Sequence, residues 1–99
     1  MRIAFSEAKA IKETASAVFG ARAEVWLFGS RADDAKKGGD IDLYVELPPE
    51  DYSYEKKIRF WCELIRRLGD QKIDIVINKT GASPHLPIHE IAKARGVRL

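Results

Sequence analysis

Hydrophobic and polar positions alternate with two distinct periods along the chain. Over residues 6–19, Ile11, Ala15, Val18 and Phe19 recur at helical spacing. Ser6 is the expected cap of that helix and Gly20 its end. Residues 24–28 contain the unbroken apolar run Val25-Trp26-Leu27-Phe28, the mark of a strand inside a sheet. Residues 41–47 alternate strictly and stop at Pro48-Pro49, so they predict a second strand. The clearest helix is predicted over 54–68, where Ile58, Trp61, Cys62, Ile65 and Leu68 make one stripe and Gly69 closes it. A third strand is predicted over 72–78, then a loop over 79–84. A last helix is expected from Pro87 to about residue 95, closed by Gly96. With a short helix over 31–35, this predicts an α/β (α+β) domain: a small mixed sheet of three or more strands flanked by about four helices.

Ninety-nine residues amount to a single domain, residues 1–99. Acidic and basic residues nearly cancel, leaving a formal charge of +2, which does not point to direct nucleic-acid binding. One cysteine, Cys62, rules out an internal disulfide and fits a reducing compartment. No stretch reaches transmembrane length and the N-terminus has no secretion signal, so the expected location is the cytoplasm, away from membranes.

The chemistry lies between the first two strands. Asp40 and Asp42 are two apart on an extended segment, so both carboxylates project from one side, roughly 7 Å apart along the strand. Side by side they repel unless a cation sits between them, and hard ions such as magnesium fit oxygen ligands. Gly29 permits a tight turn and close backbone approach. Ser30 can cap the short helix that follows, offering free N–H groups and a hydroxyl to a phosphate chain, with Arg31 adding a cation. On the third strand Asp74 is a lone charge amid Ile73, Ile75 and Ile77. Its burial would be costly unless that face is open or ligand-bound. If the second and third strands are neighbours, Asp74 joins Asp40 and Asp42 in one acidic cluster.

Strand-Gly29-Ser30, nine intervening residues, Asp40-x-Asp42, and then Asp74 on a following strand resembles the nucleotidyltransferase signature of the DNA polymerase beta superfamily. The short length is similar to that of its minimal nucleotidyltransferases, and the likeness runs from Val25 through Ile77. The resemblance implies transfer of a nucleoside monophosphate from a triphosphate, with release of pyrophosphate. It also implies two magnesium ions held by Asp40, Asp42 and Asp74, with Gly29, Ser30 and Arg31 on the β and γ phosphates. Minimal members resemble antitoxins of toxin–antitoxin pairs, which use ATP to adenylylate (AMPylate) a helical HEPN ribonuclease toxin and so silence it. The implied partner is therefore a HEPN-type protein in a hetero-oligomer. Two other readings stand beside this one: an antitoxin that occludes its partner without using nucleotide, and a nucleotidyltransferase acting on RNA or a small molecule. Three aspartates on one face argue against a pure binder. The weak net charge and the missing acceptor lobe argue against the third reading.

Other positions carry milder expectations. Tyr44 and Glu46 continue the Asp40/Asp42 face, as cleft lining or sheet surface. Trp61 and Cys62 are expected in the core. Phe60 and Leu64 widen the helix stripe, as a protein interface or as part of a broadly buried helix. Glu63 is expected to pair with Arg67.

Overall fold

Where the chain has a clear apolar period it folds as that period dictates. The structure, a computed structural model, describes residues 5–28, 41–69, 71–80 and 96–99. Helix α1 spans Phe5–Phe19 and buries Ile11, Thr14, Ala15, Val18 and Phe19. Ser6 lies inside the first turn rather than capping it. Thr14 is tolerated in the core because its hydroxyl donates to the Ala10 carbonyl at 2.7 Å. Gly20 ends the helix with φ at +103°, a conformation that only glycine adopts without strain.

Strand β1 is Glu24–Phe28 and β2 is Ile41–Leu47. Pro48 and a 3-10 turn at Pro49–Asp51 stop β2. Arg22 reaches this turn, its guanidinium forking onto Asp51 at 2.8 and 3.0 Å. Helix α2, Tyr54–Leu68, is capped by Ser53, whose hydroxyl accepts the Lys56 N–H at 3.2 Å. Gly69 closes it, its N–H donating to the Ile65 carbonyl. Strand β3 covers Ile73–Lys79, one residue later than the alternation predicts. Two residues, Val97–Arg98, form β4.

The sheet order is β3-β2-β1-β4. β1 runs antiparallel to both β2 and β4, while β2 and β3 are parallel and joined through α2. The sheet is thus mixed, as expected, with β4 as a strand too short for periodicity to reveal. The anticipated helices over 31–35 and 87–95 lie outside the described residues. Among the described residues, no helix is long and apolar enough to cross a membrane.

Alternation sorts the two sheet faces. Val25, Leu27, Ile41, Leu43, Val45, Leu47 and Ile73 meet α1 and α2 in the main core, with Phe60 and Leu64 fully buried. Trp26 and Tyr44 form a second buried cluster on the other face, against Phe28 and Val76.

Helix α2 is rotated relative to the sequence expectation. Phe60 and Leu64 are core residues rather than an interface, the second of the two readings, while Trp61 is 43% exposed and Ile58 46%. Cys62 is exposed as well. The cause is the partner helix: Phe19 on α1 brings its ring to 5.2 Å from that of Phe60 and draws this side of α2 inward. Two stripes with helical spacing overlap on α2, and the packing of α1 selects between them. Glu63 pairs one residue short of the predicted partner, with Arg66 at 2.7 Å.

Candidate active site

The sheet register brings two of the predicted site residues together. In the parallel pairing of β2 and β3, Asp42 stands directly opposite Asp74. Side chains at facing positions share a sheet face, and neighbouring strands lie about 4.8 Å apart. Both carboxylates therefore rise from the side away from α1 and α2, with Asp42 half-buried and Asp74 exposed. On its other flank Asp42 faces Phe28, the residue just before Gly29. Asp40, Gly29, Ser30 and Arg31, expected at the site, lie outside the described residues.

Two acidic groups facing each other on a rigid sheet are mutually destabilising unless a cation is shared between them. Their oxygens form a hard donor set suited to magnesium or manganese. Among the described residues no group of three or more His, Cys, Asp or Glu side chains converges. Asp42 and Asp74 are the described part of the expected acidic cluster.

The same sheet face continues into a polar chain that the sequence did not disclose. The Asn78 amide donates to the Tyr44 hydroxyl at 2.9 Å, and that hydroxyl donates to Glu46 at 2.8 Å. Tyr44 is fully buried and Asn78 nearly so. Tyr44 and Glu46 are thus structural members of this face. Beyond them the Trp26 ring meets Tyr44 at 5.3 Å, and the Arg98 guanidinium lies 5.6 Å from the Trp26 ring. Nothing in the isolated β3 pattern marks Asn78; its role appears only when β3 is set beside β2.

Burial pushes the Tyr44 phenol up from 10.0 to about 12; the Asn78 bond opposes this and the Glu46 carboxylate reinforces it. Below pH 10 the phenol is protonated in both folded and unfolded chains. Between pH 10 and about 12 the unfolded chain releases the proton while the folded one keeps it, so stability falls as pH rises, at up to about 1.4 kcal/mol per pH unit. Urea titrations at pH 9 and pH 11 should show this component in the unsubstituted protein and its disappearance in Tyr44→Phe. An equal pH 9-to-11 loss in both proteins would contradict the assignment.

Asp74 also borders a groove of about 320 Å³ between β3 and α2. Tyr54, Ile58 and Trp61 line its helix side and Ile73 and Ile75 its strand side, with Lys57 beside them. Among the described residues β3 is an edge of the sheet. An apolar groove with exposed aromatics, open beside a strand edge, has the make-up of a peptide or protein contact. The i, i+4, i+7 spacing of Tyr54, Ile58 and Trp61 was the available signal for it.

A comparison with curated proteins finds none that matches this chain. A family model described as "Nucleotidyltransferase domain" matches residues 8–96, nearly the whole sequence. The chain belongs to the nucleotidyltransferase domain family.

Proposed function

We propose that this protein transfers AMP from ATP to a hydroxyl group of a partner protein, and that the partner is a helical HEPN-type ribonuclease toxin silenced by the modification. The observation that carries the reading is the direct pairing of Asp42 with Asp74 in a domain of the nucleotidyltransferase family. The groove at the β3 edge supports a protein as the acceptor, because its exposed Ile58 and Trp61 offer a partner apolar contact.

In this reading Asp40, Asp42 and Asp74 hold two magnesium ions, and Gly29, Ser30 and Arg31 grip the β and γ phosphates. The bound ions neutralise triphosphate charge and lower the pKa of the acceptor hydroxyl. Asp42, on the inner strand, orients the nucleotide end of the site. Asp74, on the edge strand, orients the acceptor end. The acceptor oxygen bonds to the α-phosphorus and gives up its proton to solvent. The bond from that phosphorus to the bridging oxygen breaks, and pyrophosphate leaves with the electron pair. Alignment and charge neutralisation carry most of the acceleration in such transfers.

The experiment is incubation with α-labelled ATP, magnesium and a purified HEPN-type protein. Label is expected on that protein, and far less of it when Trp61→Ala removes the groove's largest side chain. A tight complex that never becomes labelled would support occlusion instead, and label on added RNA would support a nucleic-acid acceptor.

A further inference from the structure

Backbone polar groups alternate sides along a strand, as its side chains alternate faces. The Ile41 N–H donates to the Lys72 carbonyl at 3.0 Å, and the Thr80 N–H to the Leu47 carbonyl at 2.8 Å. These bonds bracket the β2–β3 ladder, so even-numbered residues of β3 turn their N–H and C=O groups toward β2. Ile73, Ile75 and Ile77 turn theirs the other way, to an edge that no described strand pairs. An edge of this kind accepts a further strand.

The two faces of the edge differ in chemistry. The isoleucine side chains point to the helix side, where Ile58 and Trp61 of α2 line the groove. Asp74 shares the opposite face with Asp42. A strand added here alternates in the same way. Its residues opposite Ile73 and Ile75 enter the groove side, and the one between them lies beside Asp74. In antiparallel pairing, the more stable kind per residue, that middle residue forms a non-hydrogen-bonded pair with Asp74, Cβ atoms about 5 Å apart. One extended segment thus anchors on the apolar side and presents a single side chain to the carboxylate.

Charge selects the occupant. Lys57 lines the groove, and Lys79 follows the isoleucines on the same side of β3. Neither makes an ion pair among the described residues. A second copy of β3 would bring only isoleucines and another lysine to this side, with no acid to meet them. A segment with an acidic residue opposite Lys79 complements it.

We propose that β3 takes up an extended segment of the acceptor protein, and that the residue modified is a hydroxyl residue set between two apolar ones, with an acidic residue five places ahead of it. The acceptor half of this inference rests on the function proposed above; the docking half does not. The transfer is the one written there. The hydroxyl oxygen bonds to the α-phosphorus, its proton passes to solvent, and pyrophosphate leaves.

The probe is a dye-labelled peptide, Glu-Gln-Val-Gln-Val-Ser-Val, with a second version carrying Tyr for Ser. Binding to the full chain is read by fluorescence anisotropy without nucleotide. Strand addition makes opposite predictions for two backbone methylations. Methylating the nitrogen of the fifth residue, which faces Ile75, removes a bond to the edge and should weaken binding at least about 5-fold. Methylating the nitrogen of the sixth, which points away from β3, should change binding by less than about 2-fold. With α-labelled ATP and magnesium, label should appear on the sixth residue. Label should fall at least about 10-fold when the hydroxyl residue moves to the fifth place, because alternation then turns it away from Asp74.

Equal losses from the two methylations overturn the docking site. So does a protein that dimerises and binds neither peptide, which gives the edge to a second copy. Label on a HEPN-type protein but on neither peptide overturns the acceptor pattern. Methylation-sensitive binding with no label on peptide or protein defeats the transfer reading and leaves the docking site standing.

Discussion

Asp42→Asn or Asp74→Asn should lower nucleotidyl transfer by on the order of 10²–10³-fold or more, the usual cost of removing one preorganised electrostatic group from a transfer site. The two substitutions should be nearly as severe as each other despite their different surroundings, one half-buried on the inner strand and one exposed on the edge strand. In the proposed site both carboxylates are needed at once to neutralise the same charge, so the effects should not add in the double variant. Stability should move the other way for Asp74→Asn. Removing one of two facing like charges relieves a cross-strand repulsion of roughly 0.2–1 kcal/mol. An inactive protein that unfolds no more easily is the signature of a functional residue held against the fold's interest. Steady-state transfer and urea unfolding on the same preparation read both halves. Wild-type activity in either single variant would remove these carboxylates from the reaction.

Phe60→Ala should cost about 3–5 kcal/mol, against a total stability of about 5–15 kcal/mol for a domain of this kind. Phe60 is fully buried and its ring packs on Phe19, so truncation opens a void between α1 and α2 that the helices cannot easily close. Trp61→Ala, one residue on, should cost no more than about 1 kcal/mol because the indole is 43% exposed. Denaturant midpoints of the two variants check the contrast. The reverse order would mean that α2 is rotated by a third of a turn from the packing described here.

That contrast also marks where sequence reading reached its limit. The boundaries of β1, β2 and α2 follow from alternation, proline stops and a glycine cap, all local features of the chain. Which side of α2 is buried depends on α1, forty residues upstream by sequence and adjacent only in the fold. Ile58, Trp61 and Cys62 on one side and Phe60 and Leu64 on the other satisfy the same helical period, so the period alone placed Trp61 and Cys62 in the core. For the site, the conditional step was adjacency of the second and third strands. The parallel pairing meets that condition for Asp42 and Asp74, and this was legible because a lone aspartate among isoleucines needs an explanation. The Asn78–Tyr44 bond was not legible, since it joins residues 34 positions apart through a side chain that reaches past its own register partner. Strand β4 was missed for a simpler reason: two residues contain no period.

The central claim is that Asp42 and Asp74 share divalent metal, and manganese binding tests it most directly. Titration of the protein with Mn²⁺ in the presence of a non-hydrolysable ATP analogue, followed by the loss of free-ion paramagnetic signal, should show saturable binding that weakens at least about 10-fold in Asp74→Asn. Equal manganese affinity in the unsubstituted protein and in both asparagine variants would contradict the account, whatever the family of the domain.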